Sequence, residues 1–186
     1  MEKKLTREEL LRELIEKAKD VFTTCEQKMD IEKILKESTN FKGRNHLFLA
    51  RCYFRPEDAL FSVSEEEALS QSYLALKEGS NYAYFYLYFL LREKEPVKAR
   101  NCLRLACDCA YPDAYLEMAD CKREGKLFTM DYEGALSYYR KAALSGRKEG
   151  YEGMMVLYLE LGDIENEKKV YEEATAKGFV LSGVIE

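Results

Sequence analysis

Cysteine and histidine are the residue types of this chain that could bind a metal ion or act as nucleophiles; it has six cysteines and one histidine. Cys102, Cys107 and Cys109 fall in one predicted helix, and Cys121 falls in the next. Structural zinc sites usually combine two turns, each with two cysteines roughly two to four residues apart. On a helix, the side chains of Cys107 and Cys109 diverge by about 200°. The spacing therefore indicates packing positions, and we predict neither a metal nor another cofactor.

The single histidine, His46, has no serine or cysteine motif around it, and we expect it to be a surface or helix-capping residue. The sequence contains neither a glycine-rich phosphate loop nor a Gly-x-Ser-x-Gly nucleophile elbow. Its carboxylates alternate with lysines along predicted helices, which is typical of a solvated surface. These features predict a protein that is not an enzyme. The alternative is an accessory or catalytic subunit that binds a small molecule in a helical groove.

Composition excludes several classes of protein. Hydrophobic residues make up 47% of the 186 positions and charged residues 34%, which argues against disorder. The longest apolar stretch, residues 82–91, is half of the roughly 20 residues that a bilayer-spanning helix needs, and the N-terminus lacks the apolar run of a signal peptide. The 29 basic residues are interspersed with 34 acidic ones, so we expect no one-sided basic patch for nucleic acid. We therefore expect a cytoplasmic protein whose partner is neither a membrane nor a nucleic acid.

The elements that must position any site are predicted by a repeat of 31 to 36 residues. Residues able to cap the start of a helix recur at this spacing: Asp30, Ser64, Glu95, Asp131 and Asp163. Glu95 is the weakest of these caps, but Pro96 follows it at the first helical position, where proline fits best. Four residues after each cap come Ile34, Ala68, Ala99, Ala135 and Glu167, and seven residues later Ala75, Ala106, Ala142 and Ala174. The small residues indicate helix faces that pack closely on a neighbour.

Each repeat closes with a residue that mostly tolerates the left-handed turn ending a helix. These residues are Asn45, Gly79, Ala110, Gly146 and Gly178, with Gly43 as the alternative to Asn45. Between each of them and the next cap there is room for another helix. In these intervening helices Ala83, Ala114 and Gly150 come four residues after the turn, and Leu87, Met118 and Met154 come eight after it. Each repeat is therefore predicted to be a helix pair.

The repeat spacing predicts one domain over residues 1–186. It begins with a divergent repeat at 1–44, continues with repeats at 45–79, 80–110, 111–146 and 147–178, and ends with a cap at 179–186. Residues 82–89 alternate tyrosine with other apolar residues, which could also indicate a strand. Because a half-buried strand would carry polar residues on one face, we favour a helix. The predicted fold class is all-α, a right-handed α-solenoid of about five helix–turn–helix repeats.

The stretch 131–146 resembles the second helix of Sel1-like repeats, a branch of the tetratricopeptide superfamily. The family pattern of aromatics, Lys-Ala-Ala and a closing glycine is matched by Tyr138, Tyr139, Lys141, Ala142, Ala143 and Gly146. The first helices follow the family less closely, since its usual glycine is replaced by Ala119, Met155 or Tyr88. The resemblance covers residues 45–180, and a plain tetratricopeptide repeat is the alternative. It implies a bacterial, non-catalytic scaffold that holds a partner on a curved surface.

The concave face of such an array is lined by the first helix of each pair. Positions three, six, ten and thirteen after each turn are expected to point toward this face. They are Tyr82, Phe85, Phe89 and Arg92, then Asp113, Leu116, Asp120 and Arg123, then Glu149, Glu152, Val156 and Leu159. We expect Phe85 and Phe89 to be exposed anchors for another protein or peptide. The alternatives are that both rings pack against neighbouring helices, or that a second copy of the chain covers them as a homodimer.

Overall fold

The computed structural model of the chain describes residues 44–54 and 64–181, which form eight α-helices and no strand. In chain order they are α1 Arg44–Phe54, α2 Glu65–Lys77, α3 Ala83–Leu91, α4 Pro96–Asp108, α5 Pro112–Glu124, α6 Tyr132–Leu144, α7 Lys148–Glu160 and α8 Ile164–Ala176. The chain divides into two compact units at residues 1–90 and 91–186. Helix α3 confirms the helical interpretation of residues 83–89, while Tyr82 lies just before the helix. Most of the predicted first repeat, 1–44, and all but 179–181 of the predicted cap lie outside the described residues.

The predicted caps begin the second helix of each described pair. The side chains of Ser64, Asp131 and Asp163 accept hydrogen bonds from backbone N–H groups three residues later, at 3.2, 2.8 and 3.1 Å. Glu95 makes no such bond, and Pro96 takes the first helical position after it. The predicted helix starts are confirmed at these four positions, and capping by a side chain is confirmed at three of them. Asp30 lies outside the described residues.

The predicted closing turns are confirmed at four of five positions. Gly79, Ala110, Gly146 and Gly178 all have positive φ angles, between 55° and 91°. Alanine rarely adopts this conformation, so the turn at Ala110 carries local backbone strain. The prediction for Asn45 is wrong. Helix α1 already begins at Arg44, so Asn45 is helical and cannot close the helix before it.

The small residues of the repeat lie where helices touch. Seven alanines are completely buried in the described helices α2, α4, α6 and α8: Ala68, Ala75, Ala99, Ala106, Ala135, Ala142 and Ala174. In the first helices, the predicted inward pairs of Ala83 with Leu87 and Ala114 with Met118 are also buried. An alanine at a helix contact lets two backbones approach, because no larger side chain separates them. The alanines that recur at the repeat spacing are therefore buried, as the sequence predicted.

In the second unit each helix packs on the next one in sequence, and the first helices of successive pairs also contact each other. Helices α4 and α5 pack together, as do α5 with α6, α6 with α7, and α7 with α8. Helices α5 and α7, the first helices of successive pairs, also contact each other. Their outward faces can therefore form one surface. In the first unit, α1 packs on α2.

We expect Ala142→Leu to destabilise the fold by about 1–3 kcal/mol, since the larger side chain must be accommodated at a completely buried position. The measurement is the free energy of unfolding from chemical denaturation followed by circular dichroism. Ala176→Leu, the same substitution at an exposed position near the end of α8, is the matched control. Equal stability of the two variants would place Ala142 outside the helix contact.

His46 is buried, so the prediction of a surface or capping position is wrong. Its Nδ1 lies 2.7 Å from Oε1 of Gln71, and its Nε2 lies 3.3 Å from Oε1 of Glu78. Both partners come from α2 or its C-terminal end, against which α1 packs. A buried imidazole needs hydrogen-bond partners, and these lie 25 and 32 residues away in sequence. Local sequence around His46 therefore gave no sign of its burial.

Candidate interaction surface

Helix α3 does not expose the aromatic anchors that its sequence position predicted. Phe85 is only 3% exposed, and its ring packs edge-on against Phe89 with centroids 4.9 Å apart. Ala83, residues 85–88, Leu90 and Leu91 are all buried, so α3 is covered on most of its circumference. A helix that is apolar on every side is normally buried on every side. The prediction that Phe85 is exposed is wrong, because the repeat spacing assigned an outward face to a helix that has none.

The other three residues predicted for this part of the binding face, Tyr82, Phe89 and Arg92, differ in exposure. Tyr82 precedes the helix and is half exposed, whereas Phe89 is partly buried and also packs on Tyr88, with ring centroids 4.8 Å apart. Arg92 is exposed, and its Nε lies 3.6 Å from Oε1 of Glu93. Tyr82 and Phe89 belong to the first unit and Arg92 to the second. Only the predicted residues of α5 and α7 therefore form a surface within one unit.

Two ion pairs connect α5 and α7 near their opposite ends. Asp113 in the first turn of α5 pairs with Arg147, the residue that precedes α7. Near the other end, Nη1 of Arg123 donates a hydrogen bond to Oε1 of Glu160 at 2.7 Å. Each pair joins residues about one repeat apart in sequence, which is the signal that could have predicted them. The structure thus brings the predicted residues of the two helices side by side.

Asp120 and Arg123 take part in one polar cluster with Tyr139 of α6. The hydroxyl of Tyr139 donates a hydrogen bond to Oδ1 of Asp120. Burial raises the pKa of Tyr139, and the hydrogen bond to Asp120 raises it further, so the hydroxyl stays neutral and remains a donor. Arg123 lies 3.9 Å from Asp120. The cluster holds the C-terminal half of α5 against α6 and α7, a role for Tyr139 that its position in the repeat did not indicate.

Apolar side chains lie among these charges. Val156 and Leu159 on α7 are 45% and 52% exposed, and they are three residues apart, so they share one side of the helix. Leu116 on α5 is partly buried against the core of the second unit. Glu149 is exposed, and Oε1 of Glu152 lies 3.5 Å from Nζ of Lys148. We call this surface the α5–α7 face: Asp113, Leu116, Asp120, Arg123, Glu149, Glu152, Val156 and Leu159.

Cys107 is a packing residue rather than a reactive group. Cys107 and Cys121 are buried, which confirms the packing prediction for Cys107. The Cys107 thiol donates a hydrogen bond to the carbonyl oxygen of Ala114 at 3.3 Å. Burial, reinforced by Asp108, raises the pKa of Cys107 to about 12, so the thiol is not a nucleophile at neutral pH. Cys109 lies just after α4 rather than within it.

Residues 44–54 and 64–181 contain neither a candidate metal site nor a helix that could span a membrane. No three His, Cys, Asp or Glu side chains in these ranges are grouped so that they could hold a metal ion. None of the helices there has both the length and the apolar character that crossing a bilayer requires.

Two solved structures are similar to this chain. One is a protective antigen present in uropathogenic Escherichia coli strains that displays an SLR fold, with a TM-score of 0.70 and 19% identity over 91% of this chain and 38% of the antigen. The other is a Sel1 repeat protein from Oxalobacter formigenes, with a TM-score of 0.69 and 19% identity over 89% of this chain and 70% of that protein. This chain thus spans little more than a third of the antigen's length. No protein-family model matches the sequence, and no curated protein matches it. The likeness shows that the chain has the Sel1-like repeat fold, an all-α helical repeat solenoid, as its sequence predicted.

Proposed function

We propose that the chain is a non-catalytic scaffold that binds another protein or a peptide through the α5–α7 face. The observation that carries this proposal is the exposure of Val156 and Leu159 between charged residues on two helices that ion pairs hold together. Grouped exposed apolar side chains beside charges often mark an interface. Tyr82, Phe89 and Arg92 are further candidate contacts, each within its own unit.

Covering the exposed apolar side chains of the α5–α7 face would contribute favourable free energy to the binding of a partner. Complete burial of a Val or Leu side chain stabilises by about 1.5–3 kcal/mol. Since both side chains are about half exposed, covering them would contribute about 1 kcal/mol each. The face lies on two helices, so little backbone conformational entropy is lost when the partner binds, and this favours the complex further. The face is therefore suited to a modest interface centred on α7.

The Sel1-like repeat fold supports this proposal, because helical repeat scaffolds typically serve protein interaction. Cys107 is buried and protonated at neutral pH, so it does not supply a nucleophile, which fits a role without catalysis. We further propose that the scaffold acts in the cytoplasm and that its partner is neither a nucleic acid nor a membrane.

The test is quantitative affinity capture from the native host with the full chain as bait. We expect the double variant Val156→Asp, Leu159→Asp to lose at least about nine-tenths of the captured partner, because two carboxylates would have to be desolvated at the centre of the interface. Captured proteins are quantified by mass spectrometry, and thermal denaturation of the bait shows that the fold is intact.

The matched control is Leu144→Asp, which places a carboxylate at an exposed apolar position of α6 instead. It should capture the partner as well as the unchanged chain does. Equal capture by all three baits, or equal loss with either variant, would rule out the α5–α7 face as the binding surface.

A further inference from the structure

The helices of the second unit differ in net charge. The first helices α5 and α7 carry seven carboxylates and three cations: Asp113, Glu117, Asp120, Glu124, Glu149, Glu152 and Glu160 against Lys122, Arg123 and Lys148. The second helices α4 and α6 carry five cations and two carboxylates: Lys98, Arg100, Arg104, Arg140 and Lys141 against Asp108 and Glu133. The last helix, α8, is acidic again, with four glutamates and two lysines. The α5–α7 face therefore belongs to the acidic part of the unit.

The cations of α5 are less accessible than the carboxylates around them. Arg123 is 22% exposed, whereas Asp120, Glu124 and Glu160, which lie within 3.9 Å of it, are 37–47% exposed. Lys126 in the following turn pairs with Glu124 at 2.7 Å. The two exposed carboxylates of Asp120 and Glu160 share the single positive charge of Arg123. At this end of the face, solvent and any partner meet net negative charge.

The other end of the face has one carboxylate in excess. Asp113 pairs with Arg147, and Glu152 pairs with Lys148. Glu149 is exposed and has no ion-pair partner among the described residues. Carboxylates thus border the exposed Val156 and Leu159 on both sides along α7, with Glu149 and Glu152 before them and Glu160 after them.

Resting on the proposed function, we infer that the partner presents a basic segment to the α5–α7 face, with lysine or arginine side chains on either side of aliphatic residues. The aliphatic side chains cover Val156 and Leu159, while the cations meet Glu149 at one end and Asp120 and Glu160 at the other. An acidic segment is disfavoured, because like charges brought together at an interface repel and must lose water. Much of this attraction is between exposed charges, so it weakens as salt shortens its range.

The test is selection of random peptides, displayed on phage, with the full chain as immobilised bait. We expect the recovered peptides to be enriched in lysine and arginine over aspartate and glutamate, with aliphatic residues between the cations. Synthetic copies of these peptides are then measured by fluorescence anisotropy. Raising the ionic strength to about 1 M, where the Debye length is about 3 Å, should weaken their binding by at least about tenfold.

The matched variants are Glu149→Lys on α7 and Glu133→Lys on α6, which change the charge of the chain equally at two exposed positions. Because only Glu149 lies on the α5–α7 face, we expect Glu149→Lys to weaken the selected peptides about three- to tenfold and Glu133→Lys to leave them unchanged. Equal effects of the two variants would show that only the net charge of the chain matters, and would overturn the inference.

The remaining outcomes separate this inference from the function on which it rests. If the selected peptides are neutral or acidic and do not bind the Val156→Asp, Leu159→Asp variant, the inference of a basic partner is overturned. The same result would support the proposal that the α5–α7 face is the binding surface. Peptides that bind this variant as well as the unchanged chain would overturn both proposals. Self-association of the chain that Arg100→Glu on α4 abolishes, seen by analytical ultracentrifugation, would make a second copy the occupant and overturn a separate basic partner.

Discussion

Phe85→Ala is expected to lower the free energy of unfolding by about 3–5 kcal/mol, the usual cost of removing a buried phenylalanine ring. Phe85 lies in α3, almost every residue of which is buried, and its ring supports that of Phe89. Removing it leaves a cavity that the surrounding backbone can fill only in part. The measurement is chemical denaturation followed by circular dichroism, with the free energy of unfolding as the quantity compared.

Tyr82→Ala provides the comparison, because Tyr82 is a half-exposed aromatic residue just before the same helix. We expect it to change stability by less than about 1 kcal/mol. If Phe85→Ala proved as stable as Tyr82→Ala, Phe85 would be an exposed anchor after all, and the description of α3 as a buried helix would be incorrect.

Gly150→Ala is expected to destabilise the second unit by about 2–3 kcal/mol. A Cβ atom at this position would lie 2.5 Å from the backbone nitrogen of Ala143 and 2.5 Å from the carbonyl oxygen of Tyr139. Backbone atoms cannot rotate away as a side chain can, so α6 and α7 would have to separate. This expectation opposes intrinsic helix propensity, which favours alanine over glycine by about 1 kcal/mol. The sign of the change therefore distinguishes the two effects.

Thermal and chemical denaturation measure this change, with Glu149→Ala as the control one residue earlier on the exposed side of α7. That variant should stay within about 0.5 kcal/mol of the unchanged chain. A Gly150→Ala variant more stable than the unchanged chain would mean that α6 and α7 do not approach as closely as described.

The helix boundaries could be predicted from sequence because their causes are local. A cap such as Asp131 bonds to an N–H group three residues away, and a turn such as Gly146 depends on its own backbone conformation. The buried alanines repeat at the same spacing, so they identified the packed faces as well. The prediction that Asn45 closes a helix was wrong because that part of the sequence departs from the repeat.

The candidate site was less predictable, because exposure depends on which helices surround a residue. Phe85 held an outward position in the repeat, but the uninterrupted apolar sequence of α3 was the better indicator of its burial. His46 is buried through partners on another helix. The pairing of Arg123 with Glu160 depends on contact between successive first helices, which the sequence could suggest only through opposite charges one repeat apart.

The segregation of charge in the second unit also bears on how fast a charged molecule associates with it. The negative α5–α7 face and the cationic helices α4 and α6 separate opposite charges, and this separation contributes an electric dipole moment. In the field of a cation the dipole turns before contact, so the acidic side faces the arriving molecule more often than random tumbling would allow. Orientation of this kind raises the association rate constant at low ionic strength. The dissociation rate constant is set instead by the short-range contacts of Val156 and Leu159.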